Sequence, residues 1–484
     1  MRLLNIFTIA AFAIFVCGPL LSVLIFGYSK YAQKAPAWST VNLSKLLEPD
    51  GKYRSTTAKN LVLNSPFSIM AIRAKSILDY RIFGFVNSSN VISGTGSWLF
   101  YKPQFDWQCD QGEMFETMLW HIEAMRVVAR GANIDLRFSV SPDKSSVYAD
   151  KLGGRAQSIA ACKLQGSAKW RQIVRKVHSS VIDHWVALQE SEYEAPLYYL
   201  TDTHWNELGQ ALALRQLILN FGGKDPGLPE LGQKVETKRQ TDMLRILRLA
   251  ATEDAPEFPE FWSTKYKGKL IKNENTLILH DSFYHELRDK LLSIFENAEM
   301  IHVDQIDKNL IQRIASDTLE RILVNSVERY FFDRLSSGAL SWNSHFATML
   351  INQNNKRSNC VYSRLPAAEM SVSNATLKGG SYHTKRDSQF SIRLPDRPGK
   401  TCFRARFETA STSDSEVFLP AHSKTTSSLY HPGYAVQFYP HKSQRRQISL
   451  VLPPEFSGRV LRFNPIHDAN IIDHLNIEVG VVAN

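Results

Sequence analysis

Leu277-Ile278-Leu279-His280-Asp281-Ser282-Phe283 is the stretch that decides how this chain is read. Thr276–Leu279 has the character of a short buried strand. It runs directly into Asp281-Ser282, residue types that open helices, and a helix is expected from Tyr284 to Phe295. A strand passing into a helix at a serine exposes the hydroxyl at a sharp turn and brings helix N-terminal N–H groups near it. Such groups can stabilise the oxyanion of an attacked carbonyl. The purely structural alternative makes Asp281 or Ser282 a helix cap and nothing more.

A serine needs a base, and the sequence offers one upstream. Thr201-Asp202-Thr203-His204-Trp205 follows an expected strand, Pro196–Leu200, and precedes a helix that Asn206 caps, with Gly222-Gly223 as its stop. In an extended segment residues i and i+2 point the same way, so Asp202 can hold one ring nitrogen of His204 and leave the other as a base. Taken singly, a D-x-H triplet is more often a satisfied structural histidine. A metal site using Asp202, His204, His280 and Asp281 is the chemical alternative, but no further His/Asp pairs at familiar spacings accompany it.

Around these segments the pattern is α/β. Thr117–Arg130 has helical apolar spacing (Met118, Leu119, Ile122, Met125, Val128, Ala129) and ends near Gly131. Leu136–Val140 reads as a strand, Lys169–Leu188 as a helix, and Met300–Val303 and Arg321–Val324 as further strands. The interval Lys224–Asn275 is polar with little periodicity. Strands alternating with helices indicate a mostly parallel sheet covered on both faces. After about Asn343 the texture changes to short β segments separated by Gly, Pro, Ser and Asn/Asp, including Gln389–Leu394, Cys402–Phe407, Gln447–Leu452 and Leu475–Val481. This predicts an all-β sandwich or jelly roll. The expected organisation is an anchor over 1–29, a lead-in over 30–80, an α/β domain over 81–342 and a β domain over 343–484.

With 484 residues and 44% hydrophobic content, wholesale disorder is excluded, and ordinary glycine and proline counts (24 and 20) exclude collagen-like architecture. The net charge of +10 is localised: Lys356 to Arg462 contains 17 Lys/Arg against 7 Asp/Glu, and the rest of the chain balances. A local basic field concentrates polyanions such as acidic polysaccharide, nucleic acid or anionic lipid; a solvated basic surface is the plain alternative. Near it lie Tyr430, Tyr434, Phe438 and Tyr439, which suit either a carboxylated glycan or an ordinary sandwich core.

Leu3 to Tyr28 contains no charged residue. As a helix rising about 1.5 Å per residue it exceeds the ~30 Å bilayer core, and the nearest small-x-small site lies too far away for a cleaved leader. A single-pass anchor is expected. Arg2 flanks one end and Lys30 and Lys34 the other, so charge does not favour export of the body. The cysteines point the other way. Cys109 with Cys162, and Cys360 with Cys402, fall as pairs within the two expected domains. As disulfides they would imply an oxidising compartment; four separate buried thiols are the alternative.

Four segments in order resemble the SGNH-hydrolase-like polysaccharide O-acetyltransferases of the alginate AlgJ/AlgX type. These are Gly94-Thr95-Gly96-Ser97-Trp98-Leu99-Phe100-Tyr101, the Ser139–Tyr148 block with Pro142, Lys144 and Tyr148, Asp202-Thr203-His204-Trp205, and Leu279–Phe283. They span roughly Ser89 to Phe331. The alginate enzymes carry a Gly-Thr-Ser block where this chain has His280-Asp281-Ser282, which leaves the oxyanion-hole residues unassigned; Asp281 is expected to point away as a cap or sheet-end acceptor. The resemblance implies an SGNH-like fold with Ser282 as nucleophile, His204 as base and Asp202 as its orienting acid. Lys144, Tyr148, Trp205 and Tyr284 are the candidates for substrate contact.

The implied activity is O-acetylation of an exopolysaccharide through an acetyl-serine, by a protein anchored in the inner membrane with its body in the periplasm. The resemblance further implies a membrane-bound O-acyltransferase as acetyl supplier. No G-x-G-x-x-G or P-loop motif is present, so a nucleotide-bearing donor has no sequence support and no cofactor is expected; an exported chain would not meet nucleic acid, so no nucleic-acid partner is expected. A carbohydrate acetylesterase using the same three residues, and a non-catalytic glycan-binding subunit, are the alternative functions.

Overall fold

The structure is a computed structural model. It describes most of residues 65–174, 181–227, 235–257, 271–305, 319–335, 359–365, 369–420 and 430–483, with scattered positions between 13 and 25. The anchor expected over 1–29 and the lead-in to residue 64 lie largely outside the described residues, as does the boundary expected at 342/343. Among the described residues no helix is long and apolar enough to cross a membrane.

The chain divides into two compact units. The first comprises residues 1–102, 200–203 and 238–254. It contains an antiparallel pair, Val91–Ser93 with Leu99–Tyr101, joined by a tight turn in which Gly96 and Ser97 both take positive φ. Val91 and Leu99 pack with Met243, Leu244, Leu247 and Leu249 into a small core. The helix Asp242–Ile246 supplies part of that core, so the polar interval after Lys224 contributes packing that its weak periodicity conceals.

The second unit is built on a five-stranded parallel sheet. Its strands are β1 (Asp135–Ser141), β2 (Val181–Asp183), β3 (Ile271–His280), β4 (Phe295–His302) and β5 (Arg321–Val327), in the spatial order β2-β1-β5-β3-β4. Every residue of β5 is buried, as expected for an interior parallel strand covered on both faces. Leu136, Phe138, Val140, Leu277, Leu279, Ile322 and Val324 face one core with α1 (Gly112–Gly131), α2 (Arg155–Val174) and α3 (Glu328–Leu335). A buried ion network crosses these helices. Lys163 Nζ lies 3.0 Å from Asp143 and 3.2 Å from Glu328, and Arg329 pairs with the other oxygen of Asp143. Burial pushes the Glu328 carboxyl up, but Lys163, Arg171 and the Ser146 and Ser167 hydroxyls outweigh it and hold it at about 2.

Three expected elements differ. The helix expected over Lys169–Leu188 is described as Arg155–Val174; β-branched Val181-Ile182 instead enters the sheet edge beside Phe138–Val140, and Asp183 caps a new helix, His184–Gln189. Pro196–Leu200 is not a sheet strand. Its one bridge joins Tyr198 to Trp205, and the Leu197 N–H is taken by the Tyr148 hydroxyl. The helix expected over Tyr284–Phe295 is two short ones, Ser282–His285 and Arg288–Ile294, and Phe295 already belongs to β4.

The C-terminal region forms a nine-stranded antiparallel system that wraps into a nearly closed sandwich. Thr401–Glu408 shows the period-2 cause: Phe403, Ala405 and Phe407 are buried, whereas Arg404, Arg406 and Glu408 reach the surface. Much of the basic excess read from the sequence is therefore the outer face of strands. Phe403 and Phe407 meet Phe463 inside. The sandwich packs on α1 in the same continuous core, with Trp120 against Tyr434 at 5.1 Å. Cys109 is disulfide-bonded to Cys162, and Cys360 to Cys402.

Candidate active site

At the carboxyl end of β3 the chain turns sharply. Asp281 Oδ1 accepts from the Phe283 N–H at 3.0 Å, and Oδ2 accepts from the Val327 N–H at the end of neighbouring β5. One buried carboxylate thus caps the helix and ties two parallel strands together. Ser282, next in line, is exposed. His280 is 1% exposed, and its Nδ1–H donates to the Asp281 carbonyl at 2.9 Å. Burial, foremost, keeps its pKa below the ordinary histidine value. Both Asp281 oxygens and His280 Nδ1 are thus bonded within the fold.

The segment leading to Asp202 is held by two acidic residues that the sequence reading passed over. Glu253 accepts from the Leu200 N–H at 2.6 Å, the Thr201 N–H at 2.8 Å and the Thr201 hydroxyl at 2.6 Å. Asp242 accepts from the Thr203 N–H at 3.0 Å and from the Thr203 hydroxyl. Its own N–H donates to Asp202 Oδ2 at 3.0 Å. Asp202 is 2% exposed. The Leu99 N–H donates to Leu200 O at 2.9 Å, so the early glycine-rich hairpin also supports this segment. The only local signal for Asp242 is the Thr241-Asp242 pair at a helix start.

His204 follows Asp202 with one residue between them. Its ring lies against that of Phe283, 4.9 Å between centroids, and Trp205 meets Phe283 edge-on at 5.1 Å. The base candidate therefore packs on the residue directly after Ser282. Asn206 caps the following helix, accepting from the Leu208 and Gly209 N–H groups at 3.1 Å each. A Cβ on Gly209 would lie 2.3 Å from Leu197 O, so glycine is required for that helix to approach the Leu197 backbone.

The four candidates for substrate contact fare differently from expectation. Trp205 and Tyr284 are 0% and 1% exposed, and Lys144 2%, so none of the three presents its side chain to a glycan. Lys144 Nζ donates to Tyr199 O at 3.1 Å, the Tyr148 hydroxyl accepts from the Leu197 N–H at 2.7 Å, and the Tyr198 hydroxyl donates to Pro142 O at 2.7 Å. The Pro142–Tyr148 block is thus a clamp on the Leu197–Tyr199 backbone. Of the four, Tyr148 alone keeps a partly exposed ring. Its hydroxyl stays protonated at any ordinary pH, raised by burial first.

Comparison with known proteins follows the same region. Residues 91–263 match the family model described as SGNH hydrolase-like domain, acetyltransferase AlgX. A probable alginate O-acetylase AlgJ of Azotobacter vinelandii is 25% identical over 205 residues, covering 42% of this chain and 51% of that protein. The corresponding protein of Pseudomonas syringae pv. tomato is 24% identical over 220 residues, covering 42% and 53%. The chain spans about half the length of the curated relatives it matches. Among solved structures, Pseudomonas aeruginosa AlgX aligns at 12% identity over 84% of this chain and 97% of its own, with a TM-score of 0.37. The O-acetyltransferase domain of Pseudomonas putida AlgJ aligns at 13% over 55% and 99%, with a TM-score of 0.34.

Proposed function

We propose, from an α/β region of the AlgJ/AlgX type, that this chain is a polysaccharide O-acetyltransferase working through an acetyl-serine. The observation that carries the reading is the packing of His204 on Phe283, which brings the ring of the D-x-H motif to the exposed Ser282 turn. Ser282 Oγ attacks the carbonyl carbon of an acetyl ester while His204 takes the hydroxyl proton, with Asp202 of the same motif in the role of its orienting acid. The donor oxygen leaves with that proton, and acetyl remains on Ser282. A sugar hydroxyl then attacks the acetyl carbon, His204 takes its proton, and Ser282 departs with the proton returned. Two easier steps replace one difficult one.

The setting is proposed with it. The uncharged stretch Leu3–Tyr28 would hold the chain in the inner membrane, near a membrane-bound O-acyltransferase that supplies acetyl groups. The two disulfides support an oxidising compartment, the periplasm. The basic outer strands of the sandwich would retain an anionic exopolysaccharide, alginate-like or other.

The test is mass spectrometry of the protein after incubation with a small acetyl ester, with and without an acidic oligosaccharide. An acetyl adduct on Ser282, absent in Ser282→Ala and His204→Ala, and consumed when the oligosaccharide becomes acetylated, is expected. Acetate release without acetylated sugar would make the chain an esterase. Unchanged polymer acetylation by Ser282→Ala would make it a non-catalytic binding subunit.

A further inference from the structure

Beneath the Ser282 turn lies a buried polar chain that the proposed chemistry leaves unused. His184 opens the helix after β2 and is 0% exposed. Its Nδ1 lies 2.7 Å from Gln216 Oε1. The Gln216 amide nitrogen donates to Asp183 O at 3.0 Å, which orients the amide and leaves its oxygen toward the ring. A carbonyl oxygen only accepts, so Nδ1 carries the hydrogen and Nε2 is the acceptor. Around Nε2 stand the Tyr284 hydroxyl at 2.8 Å and the Ser139 hydroxyl at 2.9 Å, themselves 2.7 Å apart. One hydroxyl donates to the nitrogen and the other to its neighbour, which closes the triangle. Asn325 extends the chain, donating to Ser139 Oγ at 3.3 Å and Ser141 Oγ at 3.0 Å.

The same ring touches the other half of the site. His184 meets Trp205 edge-on at 5.7 Å, and Trp205 directly follows His204. Tyr284 is two residues after Ser282. Among the described residues His184 therefore contacts both the chain that carries the base and the turn that carries the nucleophile. Phe283, wedged between His204 and Trp205, also joins the two segments.

We propose that His184 is a positioning residue: as a neutral imidazole, held by Gln216, it locks Tyr284 and Trp205 together and so sets the approach of His204 to Ser282. It touches neither substrate nor reacting atoms. The inference rests on the proposed roles of Ser282 and His204. A shift of about 1 Å between reacting groups costs on the order of 100-fold in rate while leaving substrate affinity largely intact, so the signature is a loss in kcat rather than a rise in KM.

The experiment measures kcat and KM for a small acetyl ester, together with thermal unfolding, for His184→Leu, His184→Gln, Tyr284→Phe and the double variant His184→Leu/Tyr284→Phe. The expected result is a fall in kcat of about 10- to 100-fold for His184→Leu and Tyr284→Phe with KM changed by less than about 2-fold. His184→Gln, whose amide oxygen replaces the Nε2 acceptor, should recover most of the loss, and the double variant should be no worse than the poorer single one. If His184→Leu fails to fold, Tyr284→Phe, which deletes one oxygen and keeps the ring, decides alone. Folded variants with wild-type kcat, or losses that simply multiply in the double variant, overturn the inference while leaving the acetyl-serine intact. A wild-type protein that forms no adduct on Ser282 overturns the proposed function, and the role of His184 falls with it.

Discussion

The ring of His204 rests on the ring of Phe283 with 4.9 Å between their centroids. These residues are almost eighty positions apart along the chain, and the contact joins the D-x-H segment to the residue that follows Ser282. Phe283 is itself fully buried and also meets Trp205. The site is thus arranged through an aromatic wedge as well as through hydrogen bonds.

Truncating that wedge should separate stability from chemistry. Phe283→Ala removes a buried ring and is expected to cost about 3–5 kcal/mol, whereas a volume-conserving Phe283→Leu should cost less than about 1.5 kcal/mol. Urea unfolding gives the stabilities. Ester turnover by Phe283→Leu should still fall severalfold, because a leucine does not present a flat face to the imidazole; full activity in this variant would show that the ring contact does not position His204.

Glu253 should matter to activity although it belongs to no recognisable motif. Its two oxygens receive three hydrogen bonds from Leu200 and Thr201. In Glu253→Gln one oxygen becomes an amide that faces a donor, leaving an N–H or hydroxyl unsatisfied at about 1–3 kcal/mol. We expect a lower kcat and a lower unfolding midpoint together, read by kinetics and denaturant titration on the same preparation.

Stability should fall in acid, in two overlapping windows. Burial depresses the His184 pKa to about 4, against which the Gln216 hydrogen bond is the smaller effect. Between the unfolded value of about 6.5 and pH 4, the unfolded chain binds a proton that the folded chain does not, so stability decreases as pH falls through that range, by up to about 3 kcal/mol. The Glu328 pKa is lowered too, to about 2, here because the cost of burial is outweighed by Lys163 and Arg171, which favour the carboxylate. Its contribution is full above the ordinary carboxylate range and is lost as pH drops toward 2. Urea midpoints from pH 7 to 4.5 should therefore decline, and His184→Gln should flatten that slope. An unchanged slope in this variant would mean that His184 titrates normally in the folded protein.

The contact between helix and sandwich should be intolerant of a single methyl group. A Cβ on Gly131 would lie 1.8 Å from Val451 O. Lys400 Nζ bonds the same helix end, at 2.9 Å to Gly131 O and 2.6 Å to Asn133 Oδ1. Gly131→Ala is expected to cost about 1–3 kcal/mol or more, since backbone must move against backbone. Differential scanning calorimetry should show a lowered or split transition; Lys400→Met, which loses hydrogen bonds without a clash, should show the smaller effect.

Local chemistry was legible in the sequence. The apolar run before Asp281-Ser282, Asn206 ahead of its helix, and the alternation in Cys402–Phe407 are short-range patterns, and each is decided by neighbours within a few residues. The Asp281 cap was legible for the same reason. The misread elements failed where a tertiary partner outweighed local spacing: Val181 fits the helix expected over Lys169–Leu188 but pairs at the sheet edge beside Phe138, and Pro196–Leu200 looks like a strand, but the Leu197 and Leu200 N–H groups go to Tyr148 and Glu253.

What the chain order alone determined, then, is which residue types stand as candidates for chemistry and which local turns carry them. What the folded molecule decided is which residues hold them in place. Lys144, Trp205 and Tyr284 turned from substrate contacts into buried supports, and Glu253, Asp242 and His184 emerged as anchors. The reason is physical: a reactive group is recognised by its type and its local turn, whereas a support is defined by burial and by partners as far as 145 residues away, and no local pattern encodes those.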